Sequence, residues 1–179
     1  SRPGLEVVGI DCHIGSQITD IAPFADALDR VLRLVDELAS DGISLHHIDL
    51  GGGIGIRYKD EQPIALQDYA ATLSTRLQGR KHQLIFEPGR SFVGNAGLLL
   101  TKVEYLKQGG ERRFAIVDAA MNDLIRPALY DAYHEVVAVQ SRPDTEPARY
   151  DVVGPVCESG DFLARARTLA LATGDLLAI

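Results

Sequence analysis

Ile85-Phe86-Glu87-Pro88-Gly89-Arg90 closes an apolar run with one carboxylate, one helix-starting turn and one guanidinium. Gln83 to Phe86 reads as a strand, so these polar groups sit at a strand end, a good place to hold a phosphorylated ligand. Two earlier segments stand in the same relation to apolar runs. Asp11-Cys12-His13-Ile14-Gly15-Ser16-Gln17 follows the strand-like Leu5–Ile10, and Asp49-Leu50-Gly51-Gly52-Gly53-Ile54-Gly55 closes the run Leu45–Leu50. Three successive strand ends of this kind point to one site built from neighbouring loops.

Between these strands lie two helical patterns. Phe24, Leu28, Val31, Val35 and Leu38 recur at steps of three and four, with Thr19 or Asp20 as a cap, Pro23 in the first turn and Asp41-Gly42 as a stop. Leu66, Ala70, Leu73 and Leu77 mark the second helix, with Pro63 near its start. Alternating strands and helices with short connections imply a parallel α/β sheet. Polar clusters just past each strand are where a (β/α)8 barrel sets its active site. After Gly94-Asn95-Ala96-Gly97 the rhythm changes to short β candidates: 98–106, 113–118, 134–140, 150–153, 168–171 and 175–179. The expected organisation is therefore α/β over residues 1–93 and an all-β module over 94–179.

Bulk properties narrow the function. A net charge of −7 without a basic run argues against nucleic-acid binding. No apolar stretch approaches the roughly 18–20 residues of a membrane-spanning helix, and Ser1-Arg2-Pro3-Gly4 carries no apolar signal core. Cys12 and Cys157 follow no metal-binding spacing, so no metal is expected, and so sparse a thiol count suits a reducing cytoplasm.

Each cluster has its own chemistry. The Ser16 hydroxyl can donate to a phosphate, and the His13 imidazole can lie against an aromatic ring. Gly51-Gly52-Gly53 can wrap a phosphate at little steric cost, and its spacing excludes a Gly-x-Gly-x-x-Gly dinucleotide fingerprint. A carboxylate such as Glu87 beside a pyridine nitrogen favours the protonated ring. Arg90 can take a phosphate or carboxylate bidentately. Arg126 and Tyr130, four apart, can share one face of a helical turn, and Cys157-Glu158 lies in a Gly/Pro-bordered loop.

In this order the three strand-end motifs resemble those of the barrel-type, alanine-racemase-like (fold III) family of pyridoxal-phosphate (PLP) decarboxylases. Arg126-Pro127-Ala128-Leu129-Tyr130 and Gly154-Pro155-Val156-Cys157-Glu158-Ser159-Gly160-Asp161 narrow the resemblance to the diaminopimelate decarboxylases. The resemblance implies part of a PLP-binding (β/α)8 barrel over 1–93, followed by part of a β-rich C-terminal domain over 94–179. It implies PLP held by His13, Ser16, Gly52, Gly53, Glu87, Gly89 and Arg90, and an amino-acid substrate held by Arg90, Arg126, Tyr130 and Glu158. By the same resemblance Cys157 returns a proton to the substrate, with Glu87 and His13 as its catalytic companions, and the enzyme is a homodimer with shared active sites. Relatives that decarboxylate ornithine, arginine or carboxynorspermidine, or a non-catalytic PLP-binding homologue, are the alternatives. The paired arginines and Glu158 favour diaminopimelate, which carries a second carboxylate.

One family feature is missing. The lysine that holds PLP lies in a Tyr-x-x-Lys-Ala segment, and none of Lys59, Lys81, Lys102 and Lys107 is in such a setting. The chain thus reads as a fragment without the lysine-bearing N-terminal part and the C-terminal end of the family's chains.

Overall fold

A computed structural model describes residues 3–179. The chain divides into two compact units, the first ending at Ala96 and the second starting at Gly97. In the first unit β1 (Gly9–Asp11), β2 (His47–Asp49) and β3 (Gln83–Ile85) form a parallel sheet in that order. Helices α1 (Ala22–Ser40) and α2 (Leu66–Leu77) are the two crossovers, and the short α3 (Arg90–Val93) follows β3. Asp20 accepts the Ala22 N–H at 3.0 Å, and Gly42, with φ +81°, lets the chain leave α1.

Strand pairing is shorter than the hydrophobicity of Leu5–Ile10 predicts. Val8 accepts from His46 at 2.7 Å and the ladder then runs Gly9–Asp11 against His47–Asp49. Leu5 and Val7, ahead of that ladder, are exposed.

Register divides the sheet into two faces, because successive side chains alternate. Ile10, Ile48 and Leu84 are aligned and pack with Phe24, Leu28, Val31 and Leu73 of the helices. The opposite face presents Gly9, His47 and Gln83, then Asp11, Asp49 and Ile85. A side chain at Gly9 would overlap the His47 imidazole, so glycine there leaves room for that ring.

The second unit is a six-stranded mixed sheet ordered β6-β9-β4-β5-β7-β8. Its strands are β4 (Leu100–Gly109), β5 (Arg112–Val117), β6 (Val137–Ala138), β7 (Ala148–Val153), β8 (Phe162–Leu169) and β9 (Leu176–Ala178). All pairs are antiparallel except β5 with β7. It is not purely β: α4 (Arg126–Tyr130) packs on β8, anchored by the fully buried Pro127. Strand β8 starts earlier than its apolar pattern suggests, because Arg165 and Arg167 interrupt the hydrophobic run while the ladder to β7 continues from Phe162. The core gathers Val103, Val117, Val152, Leu163 and Leu177. Arg142 clips the polar loop before β7 to the buried Asp175 through two hydrogen bonds of 2.6 and 2.5 Å.

Candidate functional site

In the first unit the strand-end loops are joined by backbone and side-chain bonds. Cys12 donates to the Asp49 carbonyl at 3.1 Å, and Glu87 donates to the Gly51 carbonyl at 2.8 Å. The loops after β1 and β2 keep pairing through a bridge between Ile18 and Ile54. The triple glycine is required by these approaches. A Cβ at Gly52 would strike the Glu87 carbonyl oxygen, and Gly53, at φ +104°, faces the Gly15 carbonyl.

These bonds bring His13 and Glu87 to the triple glycine. The Gly52 N–H donates to His13 Nδ1 at 3.2 Å, which fixes the ring's orientation and leaves Nε2 as its outer nitrogen. Gly51 donates to Asp49 Oδ1 at 2.8 Å. Two of the three glycine N–H groups are therefore engaged within the chain, whereas the Gly53 N–H meets no acceptor among the described residues. Ser16 and His13 are exposed beside them.

Glu87 stands two residues past Ile85, so alternation returns it to the polar face. There its carboxylate lies within 4.8 Å of those of Asp11 and Asp49. Three converging acids favour a positively charged group. The parity of Asp11 and Asp49 at matched strand ends was the available sequence signal for this grouping. Phe86, of opposite parity, turns to the helix side, where its ring meets Tyr69 at 6.4 Å. An apolar hollow of about 270 Å³ lies beside Leu66, Tyr69, Phe86 and Phe92, and Gly51, Gly52 and Pro88 also line it.

Arg90 opens α3 just after Gly89. Its Nη1 donates to Gln17 Oε1 at 2.9 Å, and Gln17 also exchanges bonds with the Ile56 carbonyl (2.6 Å) and N–H (3.2 Å). Gln17 thus ties together the loops that follow all three strands. No role for Gln17 follows from the sequence alone, although its left-handed φ of 59° marks an unusual position. Lys81 precedes β3, at the sheet end opposite to His13 and Glu87, and Lys59 pairs with Asp60 at 3.8 Å.

In the second unit, Arg126 and Tyr130 begin and end α4, as the four-residue spacing predicts. Cys157 is a free, exposed thiol in the loop between β7 and β8. Beside it, Glu158 accepts from the Gly160 N–H at 3.2 Å and the Ser159 hydroxyl at 3.1 Å. These bonds, the Gly160 N–H first, hold its carboxyl below the usual range, so the group stays charged. Asp161 is buried and accepts from Met121 and Val156 N–H groups, each at 2.7 Å.

The residues present fit PLP on the observed geometry. A glycine turn that admits no side chain, a Gly53 N–H without an acceptor among the described residues, the Ser16 hydroxyl and Arg90 would offer donors to a phosphate, and the acids would suit a protonated ring nitrogen.

Residues 12–179 match the family described as pyridoxal-dependent decarboxylase, C-terminal sheet domain. The diaminopimelate decarboxylase of Pseudomonas aeruginosa is 63% identical over 98% of this chain and 42% of its own length. That of Neisseria meningitidis serogroup A is 55% identical over 99% of this chain and 44% of its own. The crystal structure of the Helicobacter pylori diaminopimelate decarboxylase complexed with L-lysine superposes with a TM-score of 0.90 at 43% identity, over 99% of this chain and 44% of that one. The chain spans less than half the length of these relatives.

Proposed function

This chain belongs to the pyridoxal-dependent decarboxylase family, and we propose that the full-length enzyme converts meso-2,6-diaminopimelate to L-lysine and carbon dioxide, with PLP as its cofactor. The observation that carries this reading is the cluster at the ends of β1, β2 and β3, where His13 and Glu87 bond directly to the triple glycine and Arg90 is tied to the neighbouring loops through Gln17. In the same proposal residues 1–93 are the C-terminal portion of a (β/α)8 barrel, with the polar face inside and the helices outside. Residues 94–179 are the β-rich C-terminal domain.

When bound, PLP supplies an electron sink for the pair left on the α-carbon as carbon dioxide departs. The chain's residues orient and protonate. Ser16, Gly53 and Arg90 would hold the phosphate, with Gly52 and Gly89 in the backbone around it. His13, oriented by the Gly52 N–H, would offer its ring to the cofactor. Glu87 holds the proton at the pyridine nitrogen. Arg126, Tyr130 and Arg90 hold the carboxylate at the far end of the substrate, and the charged Glu158 holds the ammonium beside it. The Cys157 thiol returns a proton to the α-carbon. A cytoplasmic location and a homodimer with shared sites belong to the same reading.

The test is turnover by the full-length polypeptide loaded with PLP. Carbon dioxide and L-lysine should form from meso-diaminopimelate at a kcat/KM well above that for ornithine or arginine. Faster turnover of either competitor would replace this substrate assignment. For the dimer, a Cys157→Ala polypeptide mixed with one lacking the PLP-bearing lysine should regain activity. Confirmed subunit exchange without recovery would remove the shared-site model.

A further inference from the structure

Asp161 is 4% exposed, and among the described residues no Lys or Arg forms an ion pair with it. Backbone donors meet its charge instead. Oδ1 accepts from Met121 N–H and Oδ2 from Val156 N–H, both at 2.7 Å. A buried carboxylate held this way is costly to disturb, since loss of either bond leaves a polar group unsatisfied.

The two donors come from different segments. Val156 immediately precedes Cys157 and Glu158. Met121 lies in the turn that leads into α4, where Asp123 and Leu124 donate to the Ala120 carbonyl at 2.9 and 3.2 Å. Asp161 also closes its own loop, donating to the Glu158 carbonyl at 3.0 Å and accepting from Gly154 N–H at 3.2 Å. Space around the carboxylate is fully used: a Cβ at Gly154 would lie 2.5 Å from Asp161 Oδ2 and 2.7 Å from the Ala119 carbonyl oxygen.

We propose that Asp161 is a positioning residue that clamps the Cys157–Glu158 loop to the turn leading into α4, the helix that carries Arg126 and Tyr130. Through it the thiol, the Glu158 carboxylate and the α4 side chains keep a fixed separation. The inference rests on the roles given above to Cys157 and Glu158. Asn is a poor substitute, because its amide nitrogen would confront one of the two N–H donors.

The experiment compares kcat, KM and PLP content of the full-length enzyme carrying Asp161→Asn, Cys157→Ala, Glu158→Gln, or Asp161→Asn with Cys157→Ala. Asp161→Asn should keep its PLP and lose roughly 10–100-fold in kcat, the scale of a small misplacement of a reacting group. In the Cys157→Ala background the same change should cost less than about threefold in kcat, because its effect on kcat is carried by the thiol already removed, whereas a rise in KM carried by Glu158 and α4 persists. A purely structural Asp161 would lower Tm and multiply its kinetic loss with that of Cys157→Ala, which overturns the proposal. So does a kcat and KM within about twofold of the parent while Cys157→Ala and Glu158→Gln are each severely impaired. If those two variants are themselves unimpaired, the assigned roles of the loop fail first, and the clamp falls with them. Should Asp161→Asn not fold, hydrogen exchange on the unmodified enzyme decides: the Met121 and Val156 amides should be protected together, and free-loop exchange at either refutes the clamp.

Discussion

Arg90 Nη1 donates to Gln17 Oε1 at 2.9 Å, joining the loop after β3 to the loop after β1. The same oxygen accepts from Ile56 N–H, so one side-chain amide sets the position of a guanidinium and of the loop after β2. Arg90 is also oriented by Tyr58, whose ring centroid is 5.7 Å from the guanidinium carbon.

Gln17→Ala in the full-length enzyme should therefore weaken PLP retention by about tenfold or more, as expected for losing a hydrogen bond to a charged group. Equilibrium dialysis followed by absorbance of the retained cofactor measures this. Unchanged retention would mean that Arg90 keeps its place without Gln17.

Gly52→Ala should lower Tm by several degrees, because the new methyl group forces the Gly51–Gly53 and Glu87 backbones apart. Gly97→Ala, where an added Cβ meets nothing within 4 Å, is the matched control and should leave Tm nearly unchanged. Equal melting of the two variants would show that the loop approach is slack.

Glu87→Gln should lower kcat on the order of 10²–10³-fold and leave PLP retention nearly intact. The substitution removes the group assigned to the pyridine nitrogen and leaves the phosphate donors in place. Steady-state kinetics with a parallel cofactor titration separates the two effects. An unchanged kcat would place the carboxylate away from that nitrogen.

Acid should loosen the second unit through Asp175. Its hydrogen bonds from Arg142, then the Ala172 N–H, hold its pKa below the ordinary aspartate value. Because the folded pKa is the lower one, the contribution is complete above the unfolded value of about 3.9 and is lost as pH falls through the folded value. Denaturation curves across that window should converge for the parent and Asp175→Asn at the acid end and separate near neutral pH. Equal separation at both ends would exclude this linkage.

Much of the first unit was legible because its signals are local. Phe24, Leu28, Val31 and Val35 repeat with the helix and are all buried. The order of strands and helices implied the parallel pairing that β1, β2 and β3 adopt. The α4 spacing of Arg126 and Tyr130 was readable for the same reason. Strand β8 was harder to read, since a ladder can continue through Arg165 and Arg167 when its partner strand supplies the hydrogen bonds.

Which residues stand at the strand ends, and the family to which their order points, could be read along the chain, because motif order and periodicity are properties of sequence neighbours. It took the folded chain to place Glu87 on one face with Asp11 and Asp49, to bring Gln17 to both Arg90 and Ile56, and to join Val156 to Met121 through Asp161. Those contacts depend on strand register and on loops meeting after long excursions of chain. A hydrogen bond between distant residues leaves no periodic trace, so its partner emerges only once the backbone has set which groups lie within about 3 Å of each other.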